Sequence, residues 1–115
     1  KYGFHGTSHK YVAKVAADMV GLDVEKSRIV TCHIGNGASI TAVKFGKSFN
    51  TTMGFTPADG LCMGTRSGQI DPCALIHIAR NENMSYDEMD AFINKKSGIQ
   101  GRAICATSTL RMRPA

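Results

Sequence analysis

Two glycine-rich segments carry side chains whose types and spacing favour anion chemistry. The first is HIGNGASI, residues 33–40, in which Gly35-Asn36-Gly37 separates two β-branched runs. Because glycines leave a turn without side chains, an anion can reach successive backbone N–H groups, and Asn36 and His33 can add donors. The same Asn-Gly signal is typical of an ordinary β-hairpin. This segment by itself leaves a phosphate-binding nest and a plain hairpin equally open.

The second glycine-rich segment is TTMGFTPADGLCMGTRSGQIDP, which runs from Thr51 to Pro72. It follows neither a helical nor a strand period, so it predicts an ordered loop with functional potential. Seven of the chain's twelve glycines lie between Gly35 and Gly68, which indicates one local site. Arg66 presents a planar fork of donors that suits a carboxylate or a phosphate. The alternative is a surface arginine in a flexible loop.

His5 and His9 form a third candidate pair, because histidines four residues apart can share a helix face and bind zinc. The metalloprotease pattern also needs a glutamate between them, and residues 6–8 are Gly-Thr-Ser. A helix capped at Thr7 or Ser8 would leave His5 outside the helix. We therefore predict no metal site here and interpret His9 as part of the helix start.

The first half of the chain predicts one helix followed by antiparallel strands. The helix begins at a Thr7 or Ser8 cap and ends near Gly21. Its apolar face is predicted to carry four residues at helical spacing: Val12, Val15, Ala16 and Met19. Strands are predicted over about residues 28–32, 39–45 and 47–51, with Gly46 in the second turn.

The second half predicts two helices. Asp71-Pro72 supplies an N-cap and a first-turn proline for a helix through Ala79. Ser85-x-x-Glu88 is a capping box for another helix, which closes near Gly98. A helix, a β meander and two further helices make an α/β piece rather than a complete doubly wound sheet.

Composition sets the broad class. The chain has 115 residues, 43% hydrophobic and 20% charged, which is typical of one globular domain. The net charge of +5 is scattered, which gives poor support for a dedicated nucleic-acid surface, and no apolar run approaches a membrane span. The four cysteines show no paired spacing, so we expect buried thiols in a reducing compartment. We also expect Met53 and Phe55 to pack in the core.

Taken together, the motifs resemble the acetate kinases, the acetokinase family of the actin/Hsp70/sugar kinase superfamily. The matching words, in the family's order, are YGFHGTSH (2–9), HIGNGASI (33–40), MGFTP, MGTRSG and IDP (53–57, 63–68 and 70–72), and NKKSG (94–98). The resemblance implies an α/β fold, a partial ribonuclease H-like domain with an antiparallel β meander and flanking helices. It also implies that residues 1–115 are a single fragment from the central or carboxyl-terminal-domain part of a family member, with residues 102–115 a divergent tail.

The resemblance implies a role for each matching site residue. His5 matches a catalytic histidine that stabilises the transferring phosphoryl group. Arg66 matches an arginine that is both catalytic and substrate-binding, facing the carboxylate and the phosphoryl group. Four residues match the site of the nucleotide phosphates: His33, Gly35, Asn36 and Gly37. No residue is assigned to a metal.

The activity implied by the resemblance is reversible phosphoryl transfer from ATP to acetate, giving acetyl phosphate and ADP, with Mg²⁺. The family further implies a cytoplasmic homodimer that uses neither nucleic acid nor a membrane. The family's amino-terminal phosphate loop, catalytic aspartate, adenine-binding segment and second substrate arginine find no match, so we expect the isolated chain to be inactive. The alternatives are a phosphate-binding piece without catalysis, a relative that uses propionate or pyrophosphate, and a basic nucleic-acid-associated domain.

Overall fold

The computed structural model describes residues 1–101, and the predicted divergent tail at residues 102–115 lies outside this range. Six elements follow in the order helix, three strands, two helices. Their bounds are α1 (Gly6–Met19), β1 (Arg28–Ile34), β2 (Ala38–Lys44), β3 (Lys47–Thr51), α2 (Pro72–Asn81) and α3 (Tyr86–Lys95). The predicted α/β composition is confirmed, and the strand predictions are correct to within two residues at each end. None of the helices in this range is long and apolar enough to cross a membrane.

The three strands form one antiparallel sheet in the order β1-β2-β3. Phe45 and Gly46 join β2 to β3 with φ angles of 54° and 73°, which is the positive-φ pair that a tight two-residue hairpin needs. The Gly35-Asn36-Gly37 connection is different, because it is a three-residue loop without a positive φ. The Asn-Gly signal therefore predicts the hairpin correctly, but the backbone conformation of this turn does not require glycine at positions 35 and 37.

Helix α1 packs on the sheet through a face that the sequence did not predict. Its buried residues are His9, Ala13 and Ala17, whereas Val12 is 42% and Met19 is 82% exposed. Small side chains at the helix-sheet contact let the two backbones approach, and His9 finds hydrogen-bond partners on the strands. The predicted apolar face of α1 is therefore wrong for Val12 and Met19, whose side chains are exposed.

The start of α1 also differs from the prediction. Thr7 and Ser8 lie inside the helix, and the N-cap residue is His5, with φ 61° and no side-chain cap hydrogen bond. A non-glycine residue in this left-handed region is uncommon. The consequence is that the His5 ring leaves the helix end toward the sheet rather than continuing along the helix surface.

The apolar core is small and lies under the hairpin loop. Ala38, Met53 and Met63 are buried together, with Phe4 and Leu61 packed against them. The core prediction is confirmed for Met53 and wrong for Phe55, whose side chain is 87% exposed.

The cysteine prediction also needs correction. Cys32, Cys62 and Cys73 are free but exposed, and Cys105 lies outside the described residues. Burial was expected from residue type alone, whereas the alternation of β1 puts Cys32 on the face opposite buried Thr31.

Helices α2 and α3 begin as predicted. The Asp71 side chain accepts from Cys73 N at 2.8 Å, and Ser85 and Glu88 form a complete capping box. Neither helix has a fully buried residue. Backbone bonds around the end of α3 join it to the arginine-bearing loop, for example Ser67 N to Ile93 O and Ser97 N to Thr65 O, both at 3.0 Å.

Candidate anion-binding site

Three separate parts of the chain converge at Gly37. His5 comes from the start of α1, Gly37 and His33 from the β1-β2 hairpin, and Arg66 from the long glycine-rich loop. The His5 and His33 rings stack with centroids 3.9 Å apart and planes 21° from parallel. A Cβ built at Gly37 would lie 3.1 Å from Arg66 Nη1 and 3.7 Å from His5 Nε2. Gly37 therefore leaves open a space that the Arg66 guanidinium and the His5 imidazole border, with His33 stacked on His5.

The hairpin loop is held against the arginine-bearing loop by a second close approach. Gly64 N donates to Asn36 O at 3.1 Å, and a Cβ at Gly64 would collide with the Asn36 side chain. Within the hairpin loop, Gly35 N donates to Gly37 O at 3.0 Å. Since that N–H is already used, the loop cannot offer every backbone donor to an anion as an open nest would.

Arg66 is half-buried and only weakly held by its neighbours. Its Nη1 lies 3.5 Å from Pro57 O and 3.8 Å from Met63 Sδ, which are long contacts. Within residues 1–101 the ion pair that forms is Lys26–Asp23, and no carboxylate reaches Arg66. The guanidinium thus retains donors and a charge that an anion could satisfy.

Behind the site lies a chain of hydrogen bonds that the sequence did not predict. Ser39 Oγ lies 2.8 Å from His5 Nδ1 and 2.8 Å from His9 Nε2, and His9 Nδ1 lies 2.7 Å from Thr31 Oγ1. Ser39 is fully buried and His9 is 5% exposed. Strand alternation could have indicated that Thr31 and Ser39 point inward, but pairing them with His9 requires the packing of α1.

His33 has a separate partner. Its Nδ1 lies 2.9 Å from Ser8 Oγ, a residue predicted to cap α1 that instead sits in the first turn. This contact and the stack on His5 fix the plane of the ring. Helix α1 therefore positions His33 through Ser8, and its N-cap residue is His5.

The surroundings lower the pKa of two of these imidazoles below the ordinary histidine value. For His5 the causes are burial, then His33, then Arg66, and for His9 they are burial, then His5, then His33. Each cause penalises the imidazolium, because a second cation would sit among like charges or away from water. At neutral pH the His5 and His9 imidazoles are therefore uncharged, beside the Arg66 guanidinium.

The described residues do not form a metal centre. Within residues 1–101 no cluster of three or more His, Cys, Asp or Glu side chains could hold a metal ion. Mg²⁺ prefers carboxylate and phosphate oxygens, and the cluster around Gly37 offers imidazoles and a guanidinium instead. These residues do not fit a Mg²⁺ site; they suit the anion itself.

The fold and the site together define an α/β unit in which a guanidinium and an imidazole border one open space that suits an anion. The sequence profile of the acetokinase family matches residues 1–113. An acetate kinase from Clostridium botulinum (strain Loch Maree) is 61% identical over 101 residues. The chain belongs to the acetokinase family.

Solved structures agree with this assignment. The crystal structure of Porphyromonas gingivalis acetate kinase superposes with a TM-score of 0.85 at 51% identity, covering 88% of this chain and 25% of that one. A propionate kinase from Francisella tularensis gives 0.80 at 45% identity, covering 96% of this chain and 30% of that one. The Clostridium botulinum match covers 88% of this chain and 25% of the relative, so the chain spans about a quarter of the length of such curated relatives.

Proposed function

We propose that this chain supplies part of the active site of an acetate kinase, which transfers a phosphoryl group reversibly between ATP and acetate. The observation that carries the proposal is the convergence of Arg66 and His5 on the open space at Gly37. In support, the similar proteins are named acetate kinase, including one that is 61% identical. In this role His33, Gly35, Asn36 and Gly37 bind the nucleotide phosphates.

The chemistry requires charge compensation more than proton transfer. A carboxylate acceptor is ionised at neutral pH, since carboxyl pKa values lie near about 4. No general base is then needed, and the barrier comes from bringing two anions together in line. Arg66 would face the carboxylate and the phosphoryl oxygens, and His5 would donate to the phosphoryl group. His5 is already oriented by its contact with Ser39, whereas Arg66 makes only long contacts and keeps donors for an anion.

Mg²⁺ remains an expectation of the family, as do the cytoplasmic location and the homodimer. When bound to ATP, the ion would neutralise phosphate charge. The imidazoles and the guanidinium near Gly37 do not form a site for this ion. The contribution of this chain is therefore assigned to Arg66, the imidazoles and the hairpin loop alone.

Propionate is the second candidate substrate, because a propionate kinase superposes on this chain with a TM-score of 0.80. One methylene changes transition-state binding by about 1–3 kcal/mol in a hydrophobic pocket. A preference between acetate and propionate would therefore be measurable as a ratio of kcat/KM values.

The test is a chimera in which residues 1–101 replace the matching quarter of the Porphyromonas gingivalis acetate kinase. We expect the chimera to form acetyl phosphate from ATP, Mg²⁺ and acetate, detected by trapping as the hydroxamate, and propionate is assayed in parallel. His5→Ala should lower kcat more than it changes the nucleotide KM, because its contact strengthens in the transition state. His77→Ala, on the exposed side of α2, is the matched histidine control. A folded chimera with no turnover on either carboxylate would refute the proposal.

The 115-residue chain by itself should be inactive. It supplies one wall of a phosphate clamp and one arginine, whereas positioning by both walls provides most of the rate in such transfers. Turnover of the purified chain at the rate of an intact kinase would contradict this expectation.

A further inference from the structure

We infer that Ser39 and His9 are positioning residues that set the tautomer of His5, so that the single proton of the neutral ring faces the Gly37–Arg66 space. This inference rests on the proposed function for its catalytic meaning. It rests for its geometry on the buried hydrogen-bond chain Thr31–His9–Ser39–His5. We call this chain the tautomer relay.

Ser39 is the step that couples the two histidines. Its hydroxyl carries one hydrogen and lies 2.8 Å from a ring nitrogen of each histidine. It can donate to only one of them, and if both histidines donated to it, the buried Ser39 hydrogen would have no acceptor among its contacts in residues 1–101. A neutral His5 and a neutral His9 therefore donate in the same direction along the chain. Ser39 is fully buried, and water therefore cannot replace either partner without opening the helix-sheet contact.

Two directions are possible. In the outward direction Thr31 donates to His9 Nδ1, His9 Nε2–H donates to Ser39, and Ser39 donates to His5 Nδ1. The His5 proton then sits on Nε2. In the inward direction every bond reverses, and His5 Nε2 keeps a lone pair instead.

The position of Thr31 favours the outward direction. Its hydroxyl lies 2.7 Å from His9 Nδ1 and 3.4 Å from Thr41 O. The first distance is normal for a hydroxyl donor, and the second is longer than O–H···O bonds usually are. The Thr31 hydrogen is therefore better used on His9, which leaves His9 Nε2 as the donor to Ser39.

The direction matters because of where His5 Nε2 points. This atom and the neighbouring Cε1 both lie 3.7 Å from where a Cβ of residue 37 would stand, so this edge of the ring borders the Gly37 space, and Arg66 Nη1 lies 3.1 Å from the same position. An N–H there complements a phosphoryl oxygen, whereas a lone pair would repel it. Burial and the neighbouring His33 and Arg66 lower the pKa of His5, so at neutral pH the ring has one proton. The tautomer then decides whether Nε2 or Nδ1 carries that proton.

The tautomers can be read directly by long-range ¹H–¹⁵N NMR on the full 115-residue chain, with the pH above the histidine titrations. We expect the proton on Nε2 in both His5 and His9. Ser39→Ala should move the His5 signals toward a mixture of tautomers. Ser8→Ala, which removes the partner of His33 outside the relay, should leave the His5 tautomer unchanged. A proton on Nδ1 of His5, or His5 signals that ignore Ser39→Ala, would overturn the inference.

His9→Gln provides a second variant if the alanine change disturbs folding. The glutamine amide can still donate to Ser39 Oγ, so the outward direction and the His5 Nε2 proton should survive. A shift of the His5 proton to Nδ1 in this variant would contradict the relay.

Activity in the chimera gives an independent readout. Ser39→Ala should lower kcat about tenfold, by analogy with outer partners of functional histidines, with a smaller change in nucleotide KM. The deficit should shrink as the pH falls through the pKa of His5, which lies below the ordinary value of about 6.5, because an imidazolium carries Nε2–H whatever Ser39 does. The groups facing His5 are His9, His33 and Arg66, none of which can become an anion.

A deficit that stays constant with pH would overturn the inference by indicating a purely structural role. An active chimera with the proton on His5 Nδ1 would refute the tautomer relay and would still support the proposed function. An inactive chimera with the proton on Nε2 would remove the proposed function and leave the relay.

Discussion

The histidine cluster beneath the hairpin and the α2-α3 pair are stabilised in opposite ways. The cluster buries polar groups and satisfies them on one another: the side chains of His9, Thr31, Ser39, Thr41 and Thr51 are all buried. No buried side-chain nitrogen or oxygen in residues 1–101 lacks a hydrogen-bond partner. Helices α2 and α3 have no buried residue and rely on caps at their ends.

The cavities show the same contrast. An open groove of about 480 Å³ runs between the two helices, and its lining is Ile78, Glu82, Met84, Glu88, Phe92 and Lys96. The charged groups that line it are of both signs. At the cluster, by contrast, Arg66 Nη1 and His5 Nε2 both lie within 4 Å of a single point, the Cβ position at Gly37. Convergence of donors, rather than cavity size, identifies the site here.

The largest test of this contrast compares two arginines, one from each region. Arg66→Ala in the chimera should lower acetyl phosphate formation by about 10³-fold, as for arginines that neutralise phosphoryl transition states. Arg66→Lys should recover only part of the loss, because an ammonium cannot reproduce the planar fork. Arg80→Ala, on exposed α2, should stay within about twofold of the parent. A loss of acetyl phosphate formation below tenfold for Arg66→Ala would refute the proposed catalytic role of this arginine.

Gly37→Val sharpens the role of the open space. The new side chain would enter the gap between Arg66 and His5, where a Cβ already lies 3.1 Å from the guanidinium. We expect the nucleotide KM to rise by about tenfold or more, which corresponds to about 1.4 kcal/mol of lost binding. Gly6→Ala is the control, because no atom lies within 4 Å of a Cβ built there. Unchanged nucleotide kinetics in a folded Gly37→Val chimera would return the loop to a plain hairpin.

Acid should weaken the cluster region specifically. The pKa values of His5 and His9 are lowered by folding, so the unfolded chain binds more protons below about pH 6.5. The free energy of unfolding should therefore be full above that pH and fall as the pH drops, by at most about 1.4 kcal/mol per pH unit per histidine. Denaturant titrations of the 115-residue chain at a series of pH values on both sides of about 6.5 measure this change in the free energy of unfolding. His9→Gln should flatten the profile and His77→Gln should not; equal slopes in all three proteins would contradict the assignment.

The smallest effect is expected in the helical pair. Ser85→Ala removes the two Oγ bonds to Glu88 but keeps the bond from the backbone N–H of residue 85 to Glu88 Oε2, and it should lower the free energy of unfolding by about 1 kcal/mol. Tyr86→Ala, which trims an exposed neighbour, serves as the comparison. Calorimetry or denaturant titration of the chain distinguishes them, and kcat of the chimera should be unaffected by either. A larger loss from Tyr86→Ala would mean that burial rather than capping holds α3.

The sequence determined the elements whose signals are local. Caps at Asp71 and Ser85 fixed the starts of α2 and α3, because the stabilising contacts reach only two or three residues along the chain. Strand alternation located the meander, and the glycine pattern with Arg66 indicated the region of the site. Residue type alone misjudged Phe55 and the cysteines, since exposure depends on what packs above each position.

Only the tertiary structure decided how the site is assembled. Whether α1 would turn Val12 or Ala13 to the sheet depended on how closely the helix approaches, which its own period does not encode. The left-handed His5 and its contact with Ser39, 34 residues away, follow from that approach. A hydrogen bond between distant residues forms only after the backbone has brought them together, and no local pattern records such an encounter.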